Sequence, residues 1–229
     1  MSDYSRSSTR PRAQPRVATT VAKAERTRAA IMDAALEFLW SNPFREMSVS
    51  RLMAATNLSR PAFYQYFHDV HHLMIALLEQ IEQDILVVAQ PWLEGTDEPV
   101  PRLEQSLSEL VRVCYAQGPI LRAVADAAPT DTRLEETWKA FLGRFDDAVT
   151  ARIEQDQKAG LIPAFTARPV AVALNRMDAH VLIHAFGRRP RSEPGPVRDA
   201  ILRIWINTLY GPASIAEFGG DESAKERKA

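Results

Sequence analysis

The chain has 229 residues, of which 46% are hydrophobic and 25% charged, with a net charge of −1 and one cysteine. These values fit one large globular domain, or a small one joined to a larger one, and exclude a low-complexity or collagen-like chain. No apolar run approaches the roughly 18 residues of a membrane-spanning helix, the N-terminus has no apolar stretch of a secretory signal, and Cys114 cannot form an intramolecular disulfide, so a reducing cytoplasm is the expected compartment.

Charge is unevenly spread. Residues 1–28 hold seven Lys/Arg against Asp3 and Glu25, which leaves the rest of the chain at −6. Residues 1–22 are rich in Arg, Ser, Thr and Pro without periodicity and predict a disordered basic arm, the kind of segment that meets a polyanion. Between this arm and an expected disordered tail at 217–229, the hydrophobic period is helical throughout. No alternating strand pattern, glycine-rich phosphate loop or internal repeat appears, so the fold class is all-α.

A first helix is predicted over 24–41, with Ile31, Ala34, Ala35, Phe38 and Leu39 on one face. Asn42-Pro43 ends it. Ser48 then caps a short helix that turns Val49 and Leu52 inward. Thr56-Asn57-Leu58 makes a tight turn, for which Asn57 is suited by its tolerance of the left-handed conformation. Ser59 caps a third helix with Pro61 in its first turn, and Asp69 caps a fourth that runs to about Gln90. Further helices are expected over 100–117, 118–128, 131–159, 166–187 and 195–210, with Thr132 and Glu135 as a capping box, for about nine in all.

The third helix draws the functional question, because Ser59-Arg-Pro-Ala-Phe-Tyr-Gln-Tyr-Phe-His-Asp69 packs four aromatic rings into five positions. Phe63 and Phe67 are four apart and share a face, so they belong to the core. Tyr64, Gln65 and Tyr66 point elsewhere, and Arg60, Pro61 and Ala62 occupy the helix N-terminus. In a helix-turn-helix unit those positions enter the major groove, where tyrosines offer hydroxyls to phosphates and ring faces to thymine methyls. The candidate DNA-contact set is Ser48, Asn57, Ser59, Arg60, Pro61, Ala62, Tyr64, Gln65, Tyr66 and His68.

Ser48–Asp69, SVSRLMAATNLSRPAFYQYFHD, resembles the helix-turn-helix of the TetR (tetracycline repressor) family over about residues 27–75. The C-terminal part, from ETWKAF to IWINTLYG, is similar to the mycobacterial ethionamide-resistance regulators. The motif departs from the family in several places. Asn57 replaces the turn glycine, Pro61-Ala62 replace Gly-Thr, and Val70 stands where a lysine usually meets phosphate. His68, His71 and His72 cluster there instead. Residues 29–72 hold only Arg45, Arg51 and Arg60 against four acids, so DNA affinity is expected to rest on the arm, and deleting residues 1–22 to weaken it.

Other constellations have plainer readings. His180/His184 and His68/His72 each have the spacing of a chelating pair, but no third ligand converges, and surface or interface histidines are expected. Residues 131–159 carry Trp138, Phe141, Leu142 and Phe145 on one side. Residues 166–187 carry Asn175 and Asp178 on one face among Val170, Ala173, Leu174, Met177, Val181 and Leu182. Trp205 follows with Ile201, Ile204, Thr208 and Leu209. This is either an ordinary helical core or an apolar pocket with a few polar groups. The resemblance implies the pocket. It places Trp138, Asn175 and Trp205 along an apolar tunnel, Asp178 and Phe145 at matching positions of different residue type, and Leu103, Leu110 and Cys114 on the opposite wall. A buried Asp178 needs a partner, expected to be an arginine, or a cationic or hydroxyl-bearing ligand. The last helix, 195–210, is apolar on two sides, and the resemblance implies that the last two helices pair with their symmetry mates in a homodimer.

The reading as a whole is a cytoplasmic, ligand-responsive transcriptional regulator, not an enzyme. As a dimeric repressor it would bind a palindromic operator in double-stranded DNA and be released by an apolar small-molecule effector, with no cofactor, metal or membrane partner. The alternatives are a constitutive dimeric DNA-binding protein without an effector and a helical enzyme.

Overall fold

The computed structural model describes residues 15–96 and 98–211, with side chains from residue 22 on. The expected arm up to residue 14 and the expected tail at 217–229 lie outside them. Among the described residues there are eight α-helices and no strand: α1 (Pro15–Ser41), α2 (Val49–Ala54), α3 (Arg60–Tyr64), α4 (Val70–Leu93), α5 (Pro99–Ala127), α6 (Thr132–Lys158), α7 (Ala167–Phe186) and α8 (Pro194–Leu209). The first helix therefore begins nine residues before its expected start and takes in the end of the expected arm. Pro15 costs little in a first turn, and Ala18, Ala22 and Ala24 favour helix.

Helices α1–α3 form a small domain whose ends are set by the expected caps. Ser48 Oγ accepts from the Arg51 N–H (3.3 Å), Ser59 Oγ from the Ala62 N–H (3.4 Å) and Asp69 Oδ1 from the His72 N–H (2.7 Å). Ile31, Ala35, Leu39, Leu52, Phe63 and Phe67 are buried together, as their spacing requires. The turn between α2 and α3 is made differently from expectation. Among described non-glycine residues only Glu98 has a positive φ, so Asn57 is not left-handed. Thr56 closes the turn instead, its Oγ1 donating to the Met53 carbonyl and accepting from the Leu58 N–H, both at 3.2 Å.

The expected break at Gly118-Pro119 does not occur, and α5 runs through it as one helix of 29 residues. A proline inside a helix leaves the carbonyl four residues earlier without its donor. Here that carbonyl belongs to Tyr115, and the Arg191 guanidinium donates to it at 2.7 Å from the loop between α7 and α8. Gly118 serves packing, since a Cβ there would lie 2.5 Å from the Phe186 carbonyl oxygen at the end of α7. Likewise α4 continues past Pro91 to Leu93, in a last turn where Val87, whose carbonyl loses its donor, is exposed to water. At the start of α6 the cap is Asp131, not Thr132. Its Oδ1 accepts from the Leu134 N–H, which puts Thr132 inside the helix and undoes the expected capping box.

Helices α4–α8 pack around a core continuous with that of the small domain. Buried polar pairs fix their register. Glu82 on α4 takes a two-pronged bond from Arg144 on α6. Arg152 on α6 pairs with Asp156 and donates to the Trp92 and Gly95 carbonyls, holding the end of α4. Ile204, expected inward, is 43% exposed on the outer side of α8, with Ala200, Arg203 and Asn207. Ala173 on α7 is exposed as well.

Candidate functional site

Two regions gather the residues singled out by the sequence. The first is the outer surface of α3. Asn57, Ser59, Arg60, Pro61, Gln65 and His68 are exposed, and Tyr64 is 57% exposed, with its ring set edge-on against Phe63 (5.5 Å between centroids). Ala62 and Ser48 are half-buried. Tyr66 is half-buried against the core and is the member of the set least able to reach out. The arrangement presents a cation, a phenol and an amide on one short, rigidly backed helix. Such groups can donate to phosphate or to base edges.

The second region lies inside the larger domain. Two adjoining cavities share Ile85, Leu110, Phe145, Asn175 and Asp178 in their walls. The first is completed on the predicted side by Cys114, Trp138, Phe141 and Leu142, the second by Leu103 and Trp205. All ten residues expected to line a pocket therefore do line one or both cavities. Trp138 stacks on Phe141 (5.2 Å, 11°), and Phe141 meets Phe145 edge to face (5.0 Å).

Sequence reasoning missed Ile85 and Ala89 on α4 and Ser106 on α5. Ile85 repeats the spacing of Leu78 and Ile81, so its period marks it as inward without separating cavity wall from solid core.

The polar groups of the cavities are differently bound. Asn175 donates to Asp146 Oδ1 at 3.0 Å, and Arg176 holds both oxygens of the same carboxylate (3.1 and 2.8 Å). Asp178 is 6% exposed and has no arginine partner. Instead, the Trp205 indole N–H is shared between its two oxygens at 3.1 and 3.0 Å. Arg176, two residues earlier and too close along the helix to face Asp178, points to Asp146. Burial pushes the Asp178 carboxyl up to about 7, while the Trp205 hydrogen bond acts in the opposite sense. Burial also pushes the neighbouring Cys114 thiol up to about 12, with the Asp178 charge adding to the effect, so the thiol stays protonated. Ser106 Oγ, on the wall of the second cavity, is buried without a hydrogen-bond partner.

The two regions are joined by named contacts. His71, at the start of α4, is 2.6 Å from Asp131 at the start of α6, and Arg133 donates to Asp69 at 3.0 Å. Arg122 on α5 donates to the Leu39 carbonyl at 2.6 Å and the Asn42 carbonyl at 3.4 Å, so it serves the C-terminal end of α1. Arg189 and Arg191 lie over the Trp40 ring, at 4.5 and 5.2 Å. His180 and His184 are exposed on α7, and among the described residues no cluster of potential metal ligands forms. No helix among those residues is long and apolar enough to cross a membrane.

Comparison with known proteins agrees with this geometry. Residues 31–77 match the model of bacterial regulatory proteins of the tetR family, and residues 103–211 match the C-terminal domain of the transcriptional regulator EthR. The chain is 26% identical over 187 residues to the HTH-type transcriptional regulator EthR of Mycobacterium tuberculosis, covering 80% of this chain and 86% of that protein. In fold it is similar to NalD, the secondary repressor of the MexAB-OprM multidrug efflux pump in Pseudomonas aeruginosa, with TM-score 0.66, 19% identity and coverage of 82% and 98%. It is equally similar to the SmeT–triclosan complex, with TM-score 0.66, 16% identity and coverage of 80% and 91%.

Proposed function

The chain belongs to the TetR family of helix-turn-helix transcriptional regulators, with a C-terminal part of the EthR kind, and from that premise we propose that it is a ligand-responsive repressor. Two copies paired through α7 and α8 read a palindromic operator, and an apolar small molecule bound in the twin cavities releases them.

One observation carries this reading. Helix α4 lines both cavities through Ile85 and, at its other end, begins at Val70, six residues after the last residue of α3. A ligand that spreads the cavity therefore acts on the helix that carries the DNA-contact surface. The effector shifts a population only as far as it prefers the non-binding arrangement, about 1.4 kcal/mol for each tenfold preference. That SmeT has been solved with triclosan and that NalD is a repressor support the same mode here. The exposed Ile204, beside Ala200 on α8, gives the pairing face an apolar element. A two-fold dimer also explains how a recognition helix of five residues becomes selective, since two copies read two half-sites.

The experiment is selection of DNA from a random pool by the full-length protein, followed by titration of hydrophobic small molecules against the selected site. The reading expects a palindrome and at least one compound that lowers its affinity, with Leu110→Trp, which fills the junction of the cavities, abolishing release while DNA is still bound. Enrichment of no sequence by a folded dimer overturns the operator reading. Release that Leu110→Trp leaves intact overturns the cavity reading.

A further inference from the structure

The lining of the two cavities is one-sided in charge. No Lys, Arg or His contributes to either wall, and Asp178 is the sole carboxylate in both. Its nearest competitors are already engaged. Asp146 is held by Arg176 and Asn175, which also occupies the Asn175 amide, and Arg152 is held by Asp156 and two carbonyls. The Cys114 thiol carries no charge. Trp205 gives Asp178 one N–H, whereas an ionised carboxylate has room for about four hydrogen bonds. A carboxylate buried with so little compensation is costly unless a cation reaches it.

The rings around it suit a cation. Trp138 and Phe141 line one cavity, Trp205 the other and Phe145 both, and aromatic faces attract ammonium groups, most strongly where water is excluded. Asp178 sits where the cavities adjoin, so apolar space extends from it on two sides. In the second cavity the unpartnered Ser106 Oγ is a further polar contact for a ligand.

We propose that the effector is a protonated amine flanked by apolar groups on both sides, its N–H donating to Asp178 at the join of the two cavities and its arms lying one in each. This rests on the effector-cavity reading above and names the ligand class for it. It also assigns Asp178 a specificity role, since a neutral or acidic ligand of the same shape would leave the carboxylate uncompensated or repelled.

The test compares three probes binding to the full-length protein: N-benzyl-4-phenylbutylamine, the benzyl 4-phenylbutyl ether of the same shape, and 6-phenylhexanoate. At pH 8 the amine is expected to bind at least about tenfold tighter than the ether, and the carboxylate most weakly. In Asp178→Asn the preference for the amine should fall below about threefold, with ether binding retained. The wild-type protein gives a second readout that needs no variant. An alkylamine stays protonated from pH 8 to 5.5, whereas Asp178, ordinarily an acid of low pKa but raised here by burial, takes up a proton over that range. Its preference for the amine should therefore shrink as pH falls, the neighbouring Cys114 remaining neutral throughout. Ether binding equal to amine binding at pH 8, or a preference unchanged by pH or by Asp178→Asn, overturns the proposal and leaves the cavity reading standing. Binding of none of the three overturns both.

Discussion

Replacing Arg191 by Ala removes the donor that serves the carbonyl orphaned by Pro119. The guanidinium lies 2.7 Å from the Tyr115 oxygen, and its carbon is 3.6 Å from the centroid of the Tyr115 ring. A hydrogen bond from a charged donor contributes about 1.5–3 kcal/mol and a stacked cation roughly 0.5–1 kcal/mol more, so Arg191→Ala should cost about 2–3 kcal/mol at this half-buried site. The cause can be isolated with a double-mutant cycle. Pro119→Ala restores the N–H that an uninterrupted helix would aim at Tyr115. In that background Arg191→Ala should lose little beyond the ring contact, about 1 kcal/mol, for a coupling of about 1–2 kcal/mol between residues 72 positions apart in the chain. The assay is urea unfolding followed by circular dichroism at one fixed protein concentration, so that any self-association contributes equally to every variant. Additivity within about 0.5 kcal/mol would refute the capping argument and leave Arg191 as a contact of the Trp40 and Tyr115 rings.

Phe63→Ala empties the centre of the small domain and should cost about 3–5 kcal/mol, read as a lowered unfolding midpoint, while Tyr64→Ala and Arg60→Ala leave the midpoint nearly unchanged and weaken operator binding. Deleting residues 1–14 removes Arg6, Arg10 and Arg12. The slope of log affinity against log salt should flatten by up to about 3, and an unchanged slope in fluorescence anisotropy would remove the arm from the interface. Asp178 has a folded-state pKa raised to about 7 from an ordinary 3.8, so the folded state binds the extra proton. Its contribution to stability is present below about pH 4 and lost as pH rises through 7. The melting temperature of Asp178→Asn should therefore gain on that of the wild type between pH 5 and 8, and a constant difference would contradict the burial of the charge.

Features governed by neighbours in the chain could be read from the sequence, and features governed by distant partners could not. The caps at Ser48, Ser59 and Asp69 and the inward pair Phe63/Phe67 follow from spacings of three and four residues, which helix geometry fixes. Gly118-Pro119 reads locally as a break, and only Arg191, from another loop, makes a continuous helix tolerable there. Asn57 reads as a left-handed residue because its neighbour Thr56 gives no sign that its hydroxyl will close the turn. Eight of the ten cavity residues are legible through resemblance and Phe141 and Leu142 through their helical face, since period alone does not tell a hollow core from a filled one. The partner of Asp178 is not legible in the sequence, because the N–H that reaches it belongs to Trp205 on another helix, a ring whose period reads as apolar wall.

The contacts between the domains argue for a rotation of the small domain rather than its local melting. Its α1 end is held from α5, through Arg122 to the Leu39 carbonyl, and from the loop after α7, through Arg189 and Arg191 to Trp40. The start of α4, just after α3, is held from α6, through Asp131 to His71 and Arg133 to Asp69. Helices α5, α6 and α7 supply most of the first cavity's wall. A ligand that parts α6 from α5 therefore moves one attachment relative to the other while each stays bonded. Two fixed attachments displaced in different directions turn a rigid body, and the core of Phe63, Phe67, Ile31 and Leu39 keeps the small domain rigid. Cutting one attachment should then uncouple the sites without destroying either. His71→Ala, which breaks the link to Asp131, is expected to leave operator affinity within about threefold of wild type and to reduce the effector's influence on it, measured by anisotropy with and without ligand. A variant that lost operator binding and effector binding together would instead mean that this contact holds up the fold.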